Sequence, residues 1–217
     1  MTRKKRTAIL ISGRGSNMRS LVEAARAPDY PAEIALVASN RPDAEGVAWA
    51  IDQGVPTVII DHKAYPSRAD FERALQSALD TNGIELVALA GFMRLMTPDF
   101  VEYWRDRMLN IHPSLLPSFK GLNTHERAIA AGVRIAGCTV HFVRAEMDEG
   151  PIIAQAAVPV LSGDTAETLA ARILKVEHRV YPAALRLVAA GEARLDGEKV
   201  LISSDVSEPD TLFAPTI

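Results

Sequence analysis

Cysteine is almost absent from this chain of 217 residues: Cys138 is the single one, so no internal disulfide can form. Such low cysteine use suits a reducing compartment, and we therefore expect a cytoplasmic location. Long hydrophobic runs are absent as well. No apolar stretch approaches the roughly 20 residues that a membrane span requires, so we expect no association with a membrane.

An excess of positive charge is also lacking. The chain has 24 Lys and Arg residues against 27 Asp and Glu residues, which gives a formal net charge of -3. A general nucleic-acid-binding protein usually has a basic excess, so we expect no nucleic-acid partner. The five histidines show no spacing such as H-E-x-x-H, and we also expect no metal ion.

What the sequence does contain is an alternation of strand and helix patterns in its first half. Short apolar runs predict strands, and they lie at residues 7–12, 33–39, 56–60, 85–90 and 107–112. Helical spacing of apolar residues between them predicts helices at residues 16–27, 46–53, 67–81 and from 97 onward. This order predicts an α/β fold with a mostly parallel, doubly wound, Rossmann-like sheet.

The pattern changes after residue 112. We predict a helix at 124–131 and two longer strands at 137–143 and 152–160, which together suggest an antiparallel addition in the C-terminal half. The tetrapeptide D-T-A-E at 164–167 resembles a capping box that opens a long helix through about residue 190. Asp196-Gly197 predicts a hairpin. We expect one domain over residues 1–202 and a loose tail over 203–217.

A glycine-rich loop, G-R-G-S-N at residues 13–17, joins the first predicted strand to the first predicted helix. Free backbone N–H groups and the positive end of a helix dipole suit a phosphate there. A dinucleotide is disfavoured, because Met18 replaces the third glycine of G-x-G-x-x-G and no acidic residue ends the second strand. A single phosphate fits better, and the alternative is a tight turn with Ser16 as the helix N-cap.

The run N-I-H-P-S-L-L-P at residues 110–117 closes the last predicted parallel strand. Residues two apart in a strand face the same side, so Asn110 and His112 project together at the edge where α/β sheets bind ligands. An amide can donate to a developing oxyanion, and an imidazole can exchange a proton. The pair suits acyl chemistry, with Asp148 as a candidate partner for the imidazole. A polar turn without catalytic function is the alternative.

Four strings in order, I-S-G-R-G-S-N, L-A-G-F-M-R-L-M, N-I-H-P-S-L-L-P-S-F-K-G and G-C-T-V-H-F-V-R-A-E-M-D-E-G-P, resemble the glycinamide ribonucleotide formyltransferase family. The resemblance covers residues 7–202. It implies transfer of a formyl group from 10-formyltetrahydrofolate, as co-substrate, to glycinamide ribonucleotide in purine synthesis. Both partners are small molecules, and the protein is expected to be a monomer or a homodimer.

The resemblance also implies roles for individual residues. Asn110, His112 and Asp148 match the catalytic triad of the family. The residues matching the loop that holds the substrate phosphate are Gly15, Ser16 and Asn17, and Glu177 matches an acid that contacts the ribonucleotide. The residues matching the folate site are Arg68, Met93, Arg94, Leu95, Met96, Arg144, Ala145, Glu146 and Met147.

The chain departs from the family pattern at two positions. Relatives often carry an acidic residue where Ala145 stands, and some carry a basic or polar residue where Leu174 stands, so the pocket walls are expected to differ in detail from those of such relatives. The motifs in the core also resemble 10-formyltetrahydrofolate deformylase and a tRNA formyltransferase, which are expected to carry an N-terminal or a C-terminal domain in addition. A catalytically inert folate- or nucleotide-binding module is a further alternative. His141, within a strand pattern, is interpreted as a core histidine.

Overall fold

A seven-stranded sheet forms the centre of the protein, of which the computed structural model describes residues 3–203. Each strand is a short run of mainly apolar residues that is buried along much of its length. In chain order the strands are β1 (Lys5–Ile11), β2 (Ala32–Ser39), β3 (Thr57–Ile59), β4 (Leu86–Leu89), β5 (Met108–His112), β6 (Ile135–Phe142) and β7 (Ile152–Pro159).

The strand order in the sheet is β3-β2-β1-β4-β5-β6-β7. The first five strands in the chain pair in parallel, whereas β6 pairs antiparallel with both β5 and β7. The predicted parallel sheet with an antiparallel addition is therefore confirmed. The order reverses between β1 and β4, and ligands of such sheets bind at that switch point, outside the carboxyl ends of the strands.

Helices cover both faces of the sheet, as the doubly wound prediction requires. They are α1 (Ser16–Ala25), α2 (Glu45–Asp52), α3 (Arg68–Thr81), α4 (Pro98–Tyr103), α5 (Thr124–Ala130) and α6 (Ala166–Ala190), with a short 3-10 helix at His62–Ala64. Two apolar cores result: one lies between the sheet and α1, α2, α5 and α6, and the other lies between the sheet and α3 and α4. Within residues 3–203, no helix combines the length and the apolarity needed to cross a membrane.

Helix α6 is the longest helix, and its start corrects the prediction made from D-T-A-E. The N-cap is Thr165, which exchanges capping hydrogen bonds with Thr168, rather than Asp164 with Glu167. Asp164 instead accepts hydrogen bonds from Arg172 at 2.7 and 2.9 Å and from the Leu161 N–H. The guanidinium of Arg172, about two turns after the N-cap, therefore holds the carboxylate away from the cap.

The predicted hairpin also forms: β8 (Ala193–Asp196) and β9 (Lys199–Ile202) pair antiparallel as a separate two-stranded sheet. Ser203 follows this hairpin, and its Oγ donates a hydrogen bond to the Glu192 carbonyl oxygen at 3.1 Å. The rest of the predicted loose tail, residues 204–217, lies outside the described residues.

Candidate active site

Strand β5 brings the two residues of the N-x-H motif to the site. Asn110 is half-buried and His112 is buried, and both side chains contact groups of one polar cluster. The register of β5 with β6 places Asn110 opposite His141 and His112 opposite Thr139. These contacts place the two side chains on the same side of the strand, as the spacing of the motif predicts.

Asp148 completes the cluster from the loop that follows β6. Its Oδ2 lies 3.4 Å from Nδ1 of His112, and the two side chains are only 9% and 8% exposed. The same carboxylate oxygen accepts a hydrogen bond from the Gly121 N–H at 2.8 Å. The backbone at Asp148 is left-handed, with φ of 58°. The structure thus supplies the proximity that the sequence could not show.

His112 is held at both ring nitrogens. Nδ1 faces the carboxylate of Asp148, and Nε2 lies 3.1 Å from the carbonyl oxygen of Phe119. A carbonyl oxygen can only accept, so Nε2 donates this bond. The ring therefore faces two acceptor groups, the Asp148 carboxylate and the Phe119 carbonyl oxygen.

His141 is the residue of this cluster that the sequence analysis missed. It is buried, as a core histidine should be, but its Nε2 lies 3.3 Å from the amide nitrogen of Asn110 and 4.0 Å from Oδ1 of Asp148. Its Nδ1 donates to the Phe142 carbonyl oxygen at 2.9 Å, so a neutral ring presents an acceptor to Asn110. Burial lowers the pKa of His141, the Phe142 hydrogen bond and Asp148 act against that change, and His112 adds to it.

Within the glycine-rich loop, the chain enters α1 at a left-handed residue. Gly15 is the N-cap of α1 with φ of 69°, and Ser16 is the first helical residue, so the alternative with Ser16 as N-cap is wrong. Among the described residues, no side chain caps this helix. The first N–H groups of α1 consequently remain available to an anion, which is the arrangement that suits a phosphate.

Asn17 links this loop to the long helix α6. Its Nδ2 donates a 2.7 Å hydrogen bond to Oε2 of Glu177, although 160 residues separate the two in sequence. Burial raises the pKa of Glu177, and the bond from Asn17 partly opposes that rise. Oδ1 of Asn17 is buried and has no hydrogen-bond partner within the described part of the chain. Two residues assigned to one substrate by resemblance are therefore in contact.

Among the residues predicted to bind folate, three are apolar and exposed, and two others are half-buried against the protein. Met93, Leu95 and Met147 carry apolar side chains that are 75%, 61% and 54% exposed, and Met147 directly precedes Asp148. These three side chains, called here the apolar rim, offer exposed apolar surface of the kind that suits a flat heterocycle. The half-buried Met96 packs against the core on the α3 side, and the half-buried Arg94 lies over the Phe71 ring.

Other residues predicted for the folate site contact different parts of the protein. The side chain of Arg144 is only 8% exposed and forms ion pairs with Asp106 at 2.8 Å and Glu198 at 3.0 Å. Ala145 and Glu146 are exposed and border a cleft of about 420 Å³ beside α4. Arg68 is exposed at the first turn of α3. The geometry thus gives Arg144 a structural set of partners rather than a free guanidinium.

The family model described as formyl transferase matches residues 5–185. The chain belongs to the formyl transferase family. The resemblance drawn from four sequence motifs is thereby confirmed at the level of the family.

Curated relatives agree with this assignment. Trifunctional purine biosynthetic protein adenosine-3 of Gallus gallus is 51% identical over 194 residues, which are 89% of this chain and 19% of that protein. The chain therefore spans about a fifth of the length of the first of these relatives. Phosphoribosylglycinamide formyltransferase of Haemophilus influenzae is 39% identical over 191 residues, which are 88% of this chain and 90% of that protein.

Solved structures share the fold. A glycinamide ribonucleotide transformylase 1 from Symbiobacterium toebii is 48% identical with a TM-score of 0.91, over 94% of this chain and 96% of that one. A formyltetrahydrofolate deformylase from Pseudomonas syringae is 25% identical with a TM-score of 0.86, over 94% of this chain and 67% of that one. The transformylase is therefore the nearer of these two in sequence.

Proposed function

We propose that the protein transfers the formyl group of 10-formyltetrahydrofolate to the amine of glycinamide ribonucleotide, as its relatives' names indicate for them. The observation that carries the proposal is the cluster of Asn110, His112 and Asp148, with 3.4 Å between His112 and Asp148. The cluster lies close to the switch point of the sheet, where two small substrates can meet.

The reaction proceeds through a tetrahedral intermediate. The substrate amine attacks the formyl carbon, and the carbonyl oxygen becomes an oxyanion. An Asn side chain has two N–H donors, and the bond from Asn110 to His141 uses one of them, which leaves the other for the oxyanion. Collapse of the intermediate breaks the bond from the formyl carbon to N10 and gives the formylated amine and tetrahydrofolate.

His112 is the group that stabilises the oxyanion together with Asn110 and protonates N10 as it departs. Asp148 holds the imidazole ring through its contact with Nδ1 at 3.4 Å. For Nε2 of His112 to face the substrate, its bond to the Phe119 carbonyl oxygen has to be replaced by a bond to the reacting group. The proton that the attacking amine loses can pass to solvent or to His112 after N10 has taken its proton.

Two further segments position the substrates. The N-terminal N–H groups of α1, from Gly15 to Asn17, suit the ribonucleotide phosphate, and Glu177 suits a hydroxyl or the amine of the same substrate. The apolar rim of Met93, Leu95 and Met147 suits the pterin ring. Holding both substrates side by side contributes to the rate by orientation alone.

The test is to incubate the purified protein with both substrates and follow the folate product by absorbance. Product that depends on glycinamide ribonucleotide supports the transferase. Product formed at the same rate without the ribonucleotide would support hydrolysis by water, the reaction of the deformylase type. Binding of either substrate without turnover would leave only an inert binding module.

A further inference from the structure

The segment of residues 92–96, within the connection from β4 to α4, is fixed only in part by its own packing: Phe92 and Met96 pack against the core on the α3 side. The side chains of Met93 and Leu95 are 75% and 61% exposed, although both are apolar. A loop with few buried apolar contacts is expected to open and close locally unless other bonds hold it. The conformation of the exposed residues Met93 and Leu95 therefore depends also on the hydrogen bonds at the two ends of the segment.

Ser12 holds the beginning of the segment. It is 4% exposed, its Oγ accepts a hydrogen bond from the Met93 N–H at 2.8 Å, and it donates to Oδ1 of Asn40 at 2.6 Å. Because Ser12 directly follows β1, this end of the segment is tied to a strand in the centre of the sheet.

Glu72 holds the end of the segment from helix α3. This side chain is 4% exposed, and its Oε1 accepts from the Thr97 N–H at 2.7 Å while its Oε2 accepts from the Thr97 hydroxyl. The Thr97 Oγ1 in turn accepts from the Phe100 N–H at 3.3 Å and so caps α4. Both oxygens of the carboxylate are thus used by one residue.

The packing of α3 against the sheet would favour an apolar side chain, rather than a carboxylate, at position 72. The buried residues of α3 are Glu72 and the apolar Phe71, Leu75 and Leu79. Burying a carboxylate is costly in free energy unless the carboxylate accepts hydrogen bonds or is paired with a cation. The same helix also supports the middle of the segment, where the Arg94 guanidinium lies 5.6 Å from the centre of the Phe71 ring.

We propose that Glu72 is a positioning residue that fixes residues 93–96 in the conformation that receives the folate co-substrate. The proposal rests on the proposed function, because it assigns that segment to the folate. Glu72 itself does not touch the substrate in this scheme. It acts through Thr97, and its loss should weaken folate binding and leave the ribonucleotide site, on the α1 side of the sheet, unaffected.

The test compares two substitutions on the same helix. Glu72→Met removes both acceptors and keeps a side chain of similar length. Gln76→Met, one turn further along, removes the acceptor of the 2.8 Å bond from Trp104 Nε1, which joins α3 to the other end of α4. Both changes break a hydrogen bond between α3 and the region of α4, but only the first involves the segment that is proposed to bind folate.

Glu72→Met should raise KM for 10-formyltetrahydrofolate by roughly tenfold, the lower end of what hydrogen bonds to charged groups contribute, and change KM for glycinamide ribonucleotide by less than about twofold. Gln76→Met should lower the melting temperature without changing either KM. Glu72→Gln, which keeps one acceptor, should lie between wild type and Glu72→Met, and it carries the test if the methionine variant does not fold. Equal KM values for folate in Glu72→Met and Gln76→Met would overturn the proposal.

Amide hydrogen exchange gives a second measurement that does not depend on activity. The Thr97 and Met93 amides should exchange at least about tenfold faster in Glu72→Met than in Gln76→Met. Unchanged exchange there overturns the anchoring role of Glu72, and faster exchange with an unchanged KM overturns its role in folate binding. A wild-type protein without transferase activity would refute the proposed function, and the exchange data would still decide whether Glu72 holds the segment.

Discussion

Replacing Asp148 by Asn tests the contact on which the proposed chemistry depends. The substitution removes one negative charge and keeps the size of the side chain. It is also compatible with the backbone, since Asp148 has φ of 58° and Asn is among the residues that tolerate the left-handed region. The Asn oxygen can still accept from the Gly121 N–H, which Asp148 does at 2.8 Å. The loop should therefore keep its shape.

The expected size of the effect follows from the distance. Two unit charges 3.4 Å apart attract by about 5 kcal/mol at an effective dielectric constant of about 20. Part of this attraction is offset by the lost hydration of a pair whose side chains are 8% and 9% exposed. A loss of roughly 10²–10⁴ in kcat, equivalent to about 2.7–5.4 kcal/mol, is therefore expected, with both KM values nearly unchanged.

The assay is steady-state transfer with both substrates, measured for Asp148→Asn and for Glu149→Gln. The second variant removes the same charge one residue away, where Glu149 pairs with Lys120 at 2.7 Å on the exposed surface. Glu149→Gln should stay within about twofold of wild type, as exposed ion pairs contribute little. If Asp148→Asn lost no more activity than Glu149→Gln, the carboxylate would have no catalytic part, and the contact with His112 would be structural.

Three further outcomes are expected. Asn110→Ala should lower kcat by roughly 10²–10³ with little change in folate affinity, and a loss under about threefold would exclude the oxyanion role. Gly15→Val should raise KM for glycinamide ribonucleotide and leave folate binding nearly intact. The reason is that Gly15 has φ of 69° and that a β-carbon there would lie 2.9 Å from Cε of Met18. Equal loss of both affinities would contradict the phosphate assignment. Burial lowers the pKa of His141 from its ordinary 6.5, so the unfolded chain binds that proton more tightly and stability falls as pH decreases below about 6.5. Urea unfolding from about pH 7.5 to 5 should show a smaller fall for His141→Asn than for wild type, and identical pH dependence would refute this contribution.

Sequence periodicity gave the elements of the fold to within about two residues, because buried parallel strands are short apolar runs and the helices between them are amphipathic. The start of α6 shows where a local pattern fails. D-T-A-E has the residues of a capping box, but Arg172 competes for Asp164, and Thr165 becomes the cap instead. Such competition depends on side chains one or two turns away, which the capping pattern does not include.

Part of the candidate site could likewise be predicted from the sequence, and part of it could not. Asn110 and His112 could be placed together from the spacing of a strand alone. His141 could not be joined to them, since its place opposite Asn110 depends on the register of an antiparallel pair, which the hydrophobic pattern of β6 does not specify. Arg144 was assigned to folate by resemblance, and its guanidinium is occupied by Asp106 and Glu198, both of which are distant in sequence.

The position of Asp148 follows from how the loop after β6 is closed. At the base of that loop, Gly150 lies so near to β6 that a β-carbon would stand 1.7 Å from the Phe142 carbonyl oxygen, so only glycine fits. The Phe142 N–H donates to the Pro151 carbonyl oxygen at 2.9 Å at the same place. The loop between these contacts therefore departs from the end of β6 and comes back to it at the same place, next to His141. Within this loop, the left-handed backbone at Asp148 directs the carboxylate to His112. This closure of the loop brings together His112 and Asp148, which are 36 positions apart (148 − 112). The periodicity of strands and helices in the sequence does not contain that information.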